Sequence, residues 1–147
     1  MPPLIETRSP SRELARIGIE RAIAESVALG CRTCVAVVDA AGRLVSYDRM
    51  DGAPFQSAQH AMDKAISSAG NQIATHEMWE YIKEDPWLRQ GINKVEGLNL
   101  LGGGVPIKVG GEVVGAVGVS GSCGMPEDQA AAEAAVAAMV AAIEGTP

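Results

Sequence analysis

Two apolar runs flank a pair of glycines in the stretch VPIKVGGEVVGAVGV, residues 105–119. Gly-Gly between two such runs is typical of a tight hairpin turn, which predicts antiparallel strands over Val105–Val109 and Val113–Val119. The second run does not alternate between apolar and polar residues, so we expect this strand to be covered on both faces. Its glycines mark places where a neighbouring helix or backbone comes close.

A second hairpin is predicted earlier in the chain. Cys34–Val38 is an almost unbroken run of strand-forming residues, a turn follows at residues 39–42, and Leu44–Tyr47 resumes the extended pattern. Because the first of these strands lacks alternation, we place it at the centre of the sheet and the second strand nearer an edge. Leu98–Leu101 predicts a fifth strand.

Helical patterns occupy the stretches between these hairpins. They cover residues 11–29, 56–73, 75–85 and 126–144. This order predicts an α/β (α+β) fold, with an antiparallel five-stranded sheet and helices on both of its faces. No repeat or linker divides the chain, so residues 1–147 are expected to form a single domain, with residues 1–10 as a loosely ordered lead-in.

The composition narrows the classes of partner. The formal net charge of -6 would repel a phosphate backbone, which argues against nucleic acid. Neither an uninterrupted apolar run of membrane-spanning length nor an apolar leader occurs in the sequence, so no membrane and a cytoplasmic location are expected. An odd number of cysteines, three, does not form a disulfide framework, which agrees with a reducing compartment.

Three segments together resemble the GlcG/HbpS-like family, which is associated with haem binding and haem degradation and includes the C-terminal domain of some corrinoid adenosyltransferases. The resemblance covers residues 12 to 144. It is carried by Ala36-Val37-Val38-Asp39 with Gly42-Arg43-Leu44-Val45 and Arg49-Met50-Asp51-Gly52-Ala53, by Ser57, Ala61, Lys64 and Ala65, and by Gly102-Gly103-Gly104-Val105-Pro106-Ile107 with Val114-Gly115-Ala116-Val117-Gly118-Val119-Ser120-Gly121.

The resemblance implies a profilin-like sandwich, homo-oligomers and, in some members, a haem or corrinoid-related ligand. Haem is therefore the candidate cofactor, and a small molecule is the expected partner. The family has no universal catalytic motif, so no catalytic residue is assigned.

The glycine run Gly102-Gly103-Gly104, followed by Pro106, is the first candidate ligand-binding element. Three residues without side chains could present unpaired backbone N–H groups to a carboxylate. The structural alternative is a β-bulge at a corner of the sheet. A P-loop is excluded because the Lys-Ser/Thr that should follow the glycines is missing.

A second candidate element is the junction between a polar loop and the long helix. Arg49, Asp51, Ser57 and Lys64 cluster there, and Arg beside a helix N-terminus is suited to an anion. Solvated charges with an N-cap are the alternative. We predict a ligand pocket between this junction and the glycine run, with Ser120 near it at the end of the central strand.

Both histidines are candidate ligands. His60, with Asp63, Lys64 and Ser67, is predicted on the face of the long helix opposite the core stripe, where it meets solvent, a ligand or another subunit. His76 and Glu80 are four residues apart and share a helix face, but two ligands do not make a tight zinc site. Weak metal binding and an ordinary exposed helix remain the two interpretations of this pair.

The C-x-x-C pair, Cys31 and Cys34, invites a redox interpretation that its position disfavours. Redox-active pairs of the thioredoxin type begin a helix, where the dipole stabilises a thiolate, whereas this pair follows a helix C-terminus. We expect Cys34 to be a buried strand residue.

Three functions therefore stay open. The first is an oligomeric module that binds haem or a related planar cofactor. The second is an enzyme acting on a carboxylate intermediate, bound by Arg49 and the glycine run. The third is an oligomeric scaffold without a ligand.

Overall fold

The computed structural model describes residues 1–145, which contain five helices and four strands. The helices are α1 (Arg12–Ala28), α2 (Gln56–Asn71), α3 (Thr75–Ile82), α4 (Pro86–Ile92) and α5 (Met125–Glu144). The strands are β1 (Thr33–Asp39), β2 (Leu44–Arg49), β3 (Gly104–Val109) and β4 (Glu112–Gly121).

The strands form one antiparallel sheet in the order β2-β1-β4-β3. Strand β1 lies beside β4 with Val35 opposite Val119, and both central strands are buried over most of their length. The predicted fold class and both hairpins are therefore confirmed. The central strands β1 and β4 have unbroken apolar sequences because each lies between two layers of helices.

The predicted fifth strand is wrong. Residues 98–101 are irregular, because their backbone donors bond within the loop or to side chains and not to a neighbouring strand. The Asn99 amide donates to Ser67 Oγ, and the Leu101 amide donates to Asn99 Oδ1. We call the connection between α4 and β3, residues 93–103, the strap.

Proline 86 begins a helix that the sequence pattern did not predict. The Asp85 side chain accepts hydrogen bonds from the amides of Trp87 and Leu88, and Pro86 stands at the first helical position. Aspartate as cap and proline after it are favoured at this helix end. The predicted short helix over residues 75–85 corresponds to α3, and α4 is an additional helix that follows it.

Helices cover both faces of the sheet. Helices α1 and α5 pack together on one face, with Ala15 and Ala135 in the shared core, and α2 lies on the other face with Ala61 and Ala65 buried against the sheet. A Cβ added at Gly118 would lie 1.9 Å from the Ala61 carbonyl oxygen. The small residues of α2 and β4 therefore let their backbones approach closely.

The predicted outward face of α2 is partly wrong. His60 is exposed, but Lys64 and Ser67 are buried. The strap lies over Ser67, whose Oγ contacts Gly97 and Asn99, while Lys64 extends towards Gly103 and α5. Elements distant in the sequence thus cover a face that looks polar and exposed in the helical pattern.

Residues 1–10 form neither helix nor strand. Near the end of this segment the Arg8 guanidinium pairs with Glu112 in the β3–β4 hairpin, and Pro10 is buried beside Gly115. These contacts attach the segment to the sheet from Arg8 onwards. The single-domain boundary itself stays a prediction.

Cys31 and Cys123 form a disulfide, which corrects the expectation drawn from the odd cysteine count. The antiparallel pairing of β1 with β4 places the start of β1 beside the end of β4. There the Ser122 amide donates to the Arg32 carbonyl. Cys34 keeps a free thiol and is buried in β1, as predicted. The cytoplasmic location therefore loses its support from cysteine usage and stays a prediction.

Candidate functional site

A cavity of about 750 Å³ opens between α3, the strap and the first turn of α5. This volume lies within the usual range for small-molecule and cofactor sites. The cavity is lined by His76, Trp79, Glu80, Ile92, Asn93, Leu98, Asn99, Leu100, Leu101, Gly102, Met125, Pro126 and Gln129.

The walls of the cavity are mainly apolar. Trp79, Leu101 and Met125 are each about half exposed, at 43%, 50% and 50% respectively. Large apolar side chains are normally buried, and several exposed ones around a single concavity indicate a binding surface. His76 and Glu80 stand on successive turns of α3 and add a polar edge to this surface.

The side chain of Asn99 shapes the strap where it borders the cavity. Its Oδ1 accepts from the Leu101 amide at 3.0 Å, and its Nδ2 lies 2.9 Å from His60 Nδ1. Because Oδ1 is used by a backbone donor, Nδ2 is the donor towards the imidazole, and His60 Nδ1 accepts. His60 thus reaches the cavity only through Asn99.

The glycine run does not present unpaired amides, which corrects the prediction for Gly103 and Gly104. The Gly103 amide donates to Gln129 Oε1 at 2.9 Å, and the Gly104 amide donates to Thr75 Oγ1 at 3.0 Å. A Cβ at Gly104 would lie 2.5 Å from the Lys64 carbonyl oxygen. Close packing against α2 therefore explains the absence of side chains, and only Gly102 faces the cavity.

Lys64 does not form a surface anion clamp, which corrects a second part of the prediction. It is 2% exposed, and its Nζ donates to Asp128 Oδ2 at 3.1 Å and to the Val119 carbonyl at 3.0 Å. Burial lowers the pKa of Lys64, an effect that the Asp128 carboxylate opposes. Burial likewise raises the pKa of Asp128, and the Lys64 ammonium opposes that shift.

The loop-to-helix junction is not part of this cavity. Arg49 ends β2 and Asp51 follows it, both exposed, whereas Ser57 is buried in the first turn of α2. The glycine run contacts the middle of α2 at Lys64, two turns beyond Ser57. The cavity described above therefore does not lie between the junction and the glycine run.

Two further predicted residues lie within the sheet. Pro106 is buried in β3, and Ser120 is buried near the end of β4, opposite Cys34 of β1. Neither lines the cavity. Of the residues chosen from the sequence, the cavity brings together Gly102, His76 and Glu80.

Sequence reasoning missed the apolar wall. Trp79 is three residues after His76, so a helix places both on adjoining positions of one face. In a chain with 3% aromatic residues, a tryptophan on the same helix face as a histidine was an available signal. Met125 and Gln129 had no such signal, because only the tertiary fold brings the start of α5 to the strap.

His76 and Glu80 supply two side chains that can bind a metal ion. Within residues 1–145 no group of three or more histidine, cysteine, aspartate or glutamate side chains is arranged to hold one. A helix long and apolar enough to cross a membrane is also not found in this part of the chain.

A family model described as haem degrading protein HbpS-like matches residues 11–137. The chain belongs to the HbpS-like family. Solved structures agree with this assignment. ORFY from Klebsiella pneumoniae superposes with a TM-score of 0.87 at 25% identity, covering 96% of this chain and 97% of ORFY.

Two other solved structures are similar to this chain. A double glutamate-to-aspartate mutant of HbpS from Streptomyces reticuli gives a TM-score of 0.82 at 28% identity, over 91% of this chain and 89% of HbpS. A PduOC:heme complex gives 0.81 at 26% identity, over 88% of this chain and 94% of PduOC.

This chain is also similar in sequence to one curated protein, which is described by the position of its gene. It is an uncharacterized 15.0 kDa protein from the dhaT-dhaS intergenic region of Citrobacter freundii. The two sequences are 29% identical over 114 residues, which is 77% of this chain and 80% of the relative.

Proposed function

We propose that this HbpS-like protein binds haem or a related planar cofactor in the cavity between α3, the strap and α5. The observation that carries the proposal is the cavity itself, whose volume is about 750 Å³ and whose walls are mainly apolar. The same fold in PduOC forms a complex with haem, which supports this choice of ligand.

The lining of the cavity suits the porphyrin plane and the iron of haem. Trp79, Leu101 and Met125 offer an apolar surface to the porphyrin plane. The His76 imidazole is the candidate ligand for the iron, since histidine is a frequent axial ligand of haem. We assign His76 this role because His60 reaches the cavity only through Asn99.

Amide side chains are the candidate partners of the haem propionates. Asn93 and Gln129 border the cavity, and each amide nitrogen carries two N–H donors. One donor of each is used within the chain, by the Arg89 carbonyl and by Glu133. Because the Glu80 carboxylate also borders the cavity, we expect the propionates to point away from α3.

Titration of the purified full-length protein with hemin tests the proposal. We expect a saturable shift of the Soret band, with His76→Ala weakening binding by about tenfold or more because the iron loses its ligand. His60→Ala is the matched control and should bind hemin like the unchanged protein. Binding without saturation, or equal losses in the two variants, would contradict the proposed site.

A substitution that fills the cavity tests its location independently of iron ligation. Gly102 is part of the wall, and a Cβ added there would meet Met125 at an ordinary contact distance of 3.4 Å. Gly102→Leu should therefore keep the fold and exclude the porphyrin. Normal hemin binding by this variant would place the ligand elsewhere.

We also propose that the protein is a homo-oligomer. Helix α5 carries apolar residues nearly all round, including half-buried Val136 and Val140, and Ile17 of the adjacent α1 is exposed. Size-exclusion chromatography with light scattering should give a mass that is a multiple of 15.2 kDa. A monomer at micromolar concentration would contradict this.

The carboxylate-enzyme hypothesis has no observation in its favour. It depended on amides of the glycine run acting together with Arg49. The Gly103 and Gly104 amides bond within the chain, and Arg49 lies outside the cavity lining.

A further inference from the structure

The disulfide between Cys31 and Cys123 has no role in the proposed binding of haem. Cys31 closes the turn after α1, and Cys123 lies in the short connection between β4 and α5. Cys31 is 3% exposed, whereas Cys123 is exposed. Exposed disulfides are the ones most open to reduction and thiol exchange, whereas buried ones are mainly structural.

We propose that Cys31 and Cys123 form a reversible redox site, oxidised by hydroperoxides and reduced by dithiols, with Cys123 as the reacting thiol and Cys31 as its resolving partner. This proposal does not depend on the proposed haem site. It rests on the unequal exposure of the two cysteines and on the backbone that holds them together.

The backbone around the pair stays paired without the covalent bond. The Arg32 amide donates to Ser122 Oγ, the Ser122 amide donates to the Arg32 carbonyl, and Thr33 lies opposite Gly121 in the sheet. Once the disulfide is reduced, these contacts keep the two thiols beside each other. Their effective concentration stays high, which favours closure of the disulfide over reaction with another molecule.

Cys123 lies just before a helix N-terminus, which is a position typical of redox-active cysteines. It immediately precedes Gly124, the N-cap of the 20-residue helix α5. Reactive cysteines commonly stand before a helix N-terminus, where the amide dipoles stabilise a thiolate. The objection to Cys31 and Cys34 as a redox pair was the lack of such a helix, and the pairing with Cys123 removes it.

The third cysteine does not compete. Cys34 is fully buried on the other face of β1, packed with Ala36 and Ala61 against α2, whereas Thr33 faces Ser26 of α1. Exchange with the disulfide would require Cys34 to cross the sheet. The site therefore consists of two thiols.

The redox cycle balances with an external oxidant and reductant. The Cys123 thiolate attacks a hydroperoxide, ROOH, and becomes a sulfenic acid as the O–O bond breaks and ROH leaves after protonation. The Cys31 thiol then attacks the Cys123 sulfur, which forms the S–S bond and releases water. A dithiol reverses the change by two thiol–disulfide exchanges and leaves as a cyclic disulfide.

The test uses the full chain in a Cys34→Ala background, so that only the two thiols remain. Reduced protein is freed of dithiothreitol and treated with one equivalent of hydrogen peroxide under native conditions. We expect a mass loss of two hydrogens within minutes and full recovery of both thiols when dithiothreitol is added. Circular dichroism should be unchanged in both states.

Single-cysteine variants assign the two roles. With Cys31→Ser, Cys123 should accumulate a sulfenic acid that dimedone labels, because no resolving thiol is present. With Cys123→Ser, the buried Cys31 should remain unlabelled. Equal labelling of the two variants, reduction only after denaturation, or loss of the fold on reduction would each overturn the proposal and indicate a purely structural bond.

Discussion

At the scale of single residues, the core contains a buried ion pair between Lys64 and Asp128. Both side chains are almost fully buried, and within residues 1–145 Asp128 Oδ1 has no hydrogen-bond partner. Removing two charges from water costs several kcal/mol per ion, and only mutual pairing compensates for this. Loss of one partner therefore leaves an uncompensated charge.

Asp128→Asn should lower the free energy of unfolding by about 3–5 kcal/mol, because the Lys64 ammonium loses its counter-ion. Urea denaturation followed by circular dichroism measures the change. The matched control is Glu20→Gln, which removes the exposed partner of Arg16 and should change stability by less than about 1 kcal/mol. Similar effects of the two substitutions would show that the buried pair contributes no more to the free energy of unfolding than the exposed pair.

The phenol of Tyr47 should titrate at unusually high pH. Burial and a hydrogen bond with the Cys34 thiol raise the pKa of Tyr47 to about 12 from the ordinary value of 10.0. Because the folded-state pKa lies above the unfolded one, this contribution to stability is complete below about pH 10 and is lost as the pH rises towards 12.

Absorbance at 295 nm checks this prediction in a Tyr81→Phe variant, whose remaining tyrosine is Tyr47. Adding Cys34→Ala should shift the midpoint back towards 10, since the hydrogen bond is lost. A midpoint near 10 before that substitution would contradict the prediction.

At the scale of elements, the contact between α2 and β4 depends on glycine. Gly118→Ala should destabilise the protein by about 1–3 kcal/mol, because its methyl group would overlap the Ala61 carbonyl and push α2 away from the sheet. Gly70 lies on α2, and a Cβ added there meets no atom within 4 Å. Gly70→Ala should therefore stabilise the protein by about 0.5–1 kcal/mol. Thermal unfolding of the two variants should therefore shift in opposite directions.

The strap should depend on a single hydroxyl. Ser67 Oγ accepts the Asn99 amide and donates to the Gly97 carbonyl, so Ser67→Ala removes both contacts. We expect faster hydrogen exchange at residues 97–101 and weaker hemin binding. Ser68→Ala is the control, since its hydroxyl bonds to Ile73 and not to the strap. Unchanged exchange in Ser67→Ala would show that packing alone holds the strap.

At the scale of the whole molecule, the disulfide joins two cysteines 92 residues apart in the sequence. Closing so long a loop restricts the unfolded chain, so reduction should lower the free energy of unfolding by about 2–4 kcal/mol. Urea denaturation with and without dithiothreitol measures this difference, and the Cys31→Ser, Cys123→Ser double variant should match the reduced protein. No difference between oxidised and reduced protein would contradict it.

The sequence predicted most of the architecture because its signals are local. Gly110-Gly111 and the unalternating run of β4 specify a hairpin whose second strand is central, and the structure confirms both. The pattern of residues 98–101 was misleading. Four apolar residues satisfy a strand by propensity, but side chains of α2 and the strap supplied the hydrogen bonds instead.

The candidate site was less predictable, because its walls come from distant parts of the chain. His76, Glu80 and Gly102 could be named as residues of interest from their chemistry. Nothing local indicated that Met125 would face them, or that Gln129 would bond to the Gly103 amide. The lysine chosen as a surface anion ligand is buried because Asp128, 64 residues further on, supplies its counter-charge.

The sequence by itself determined most of the elements, the two antiparallel hairpins and the closeness of the backbone contacts, since hairpin turns, helix caps and glycine positions act over a few residues. Only the tertiary structure decided that the amides of the glycine run are paired, where the cavity opens and which cysteines meet. Those outcomes depend on contacts between residues far apart in the chain, and such contacts form only when the layers pack.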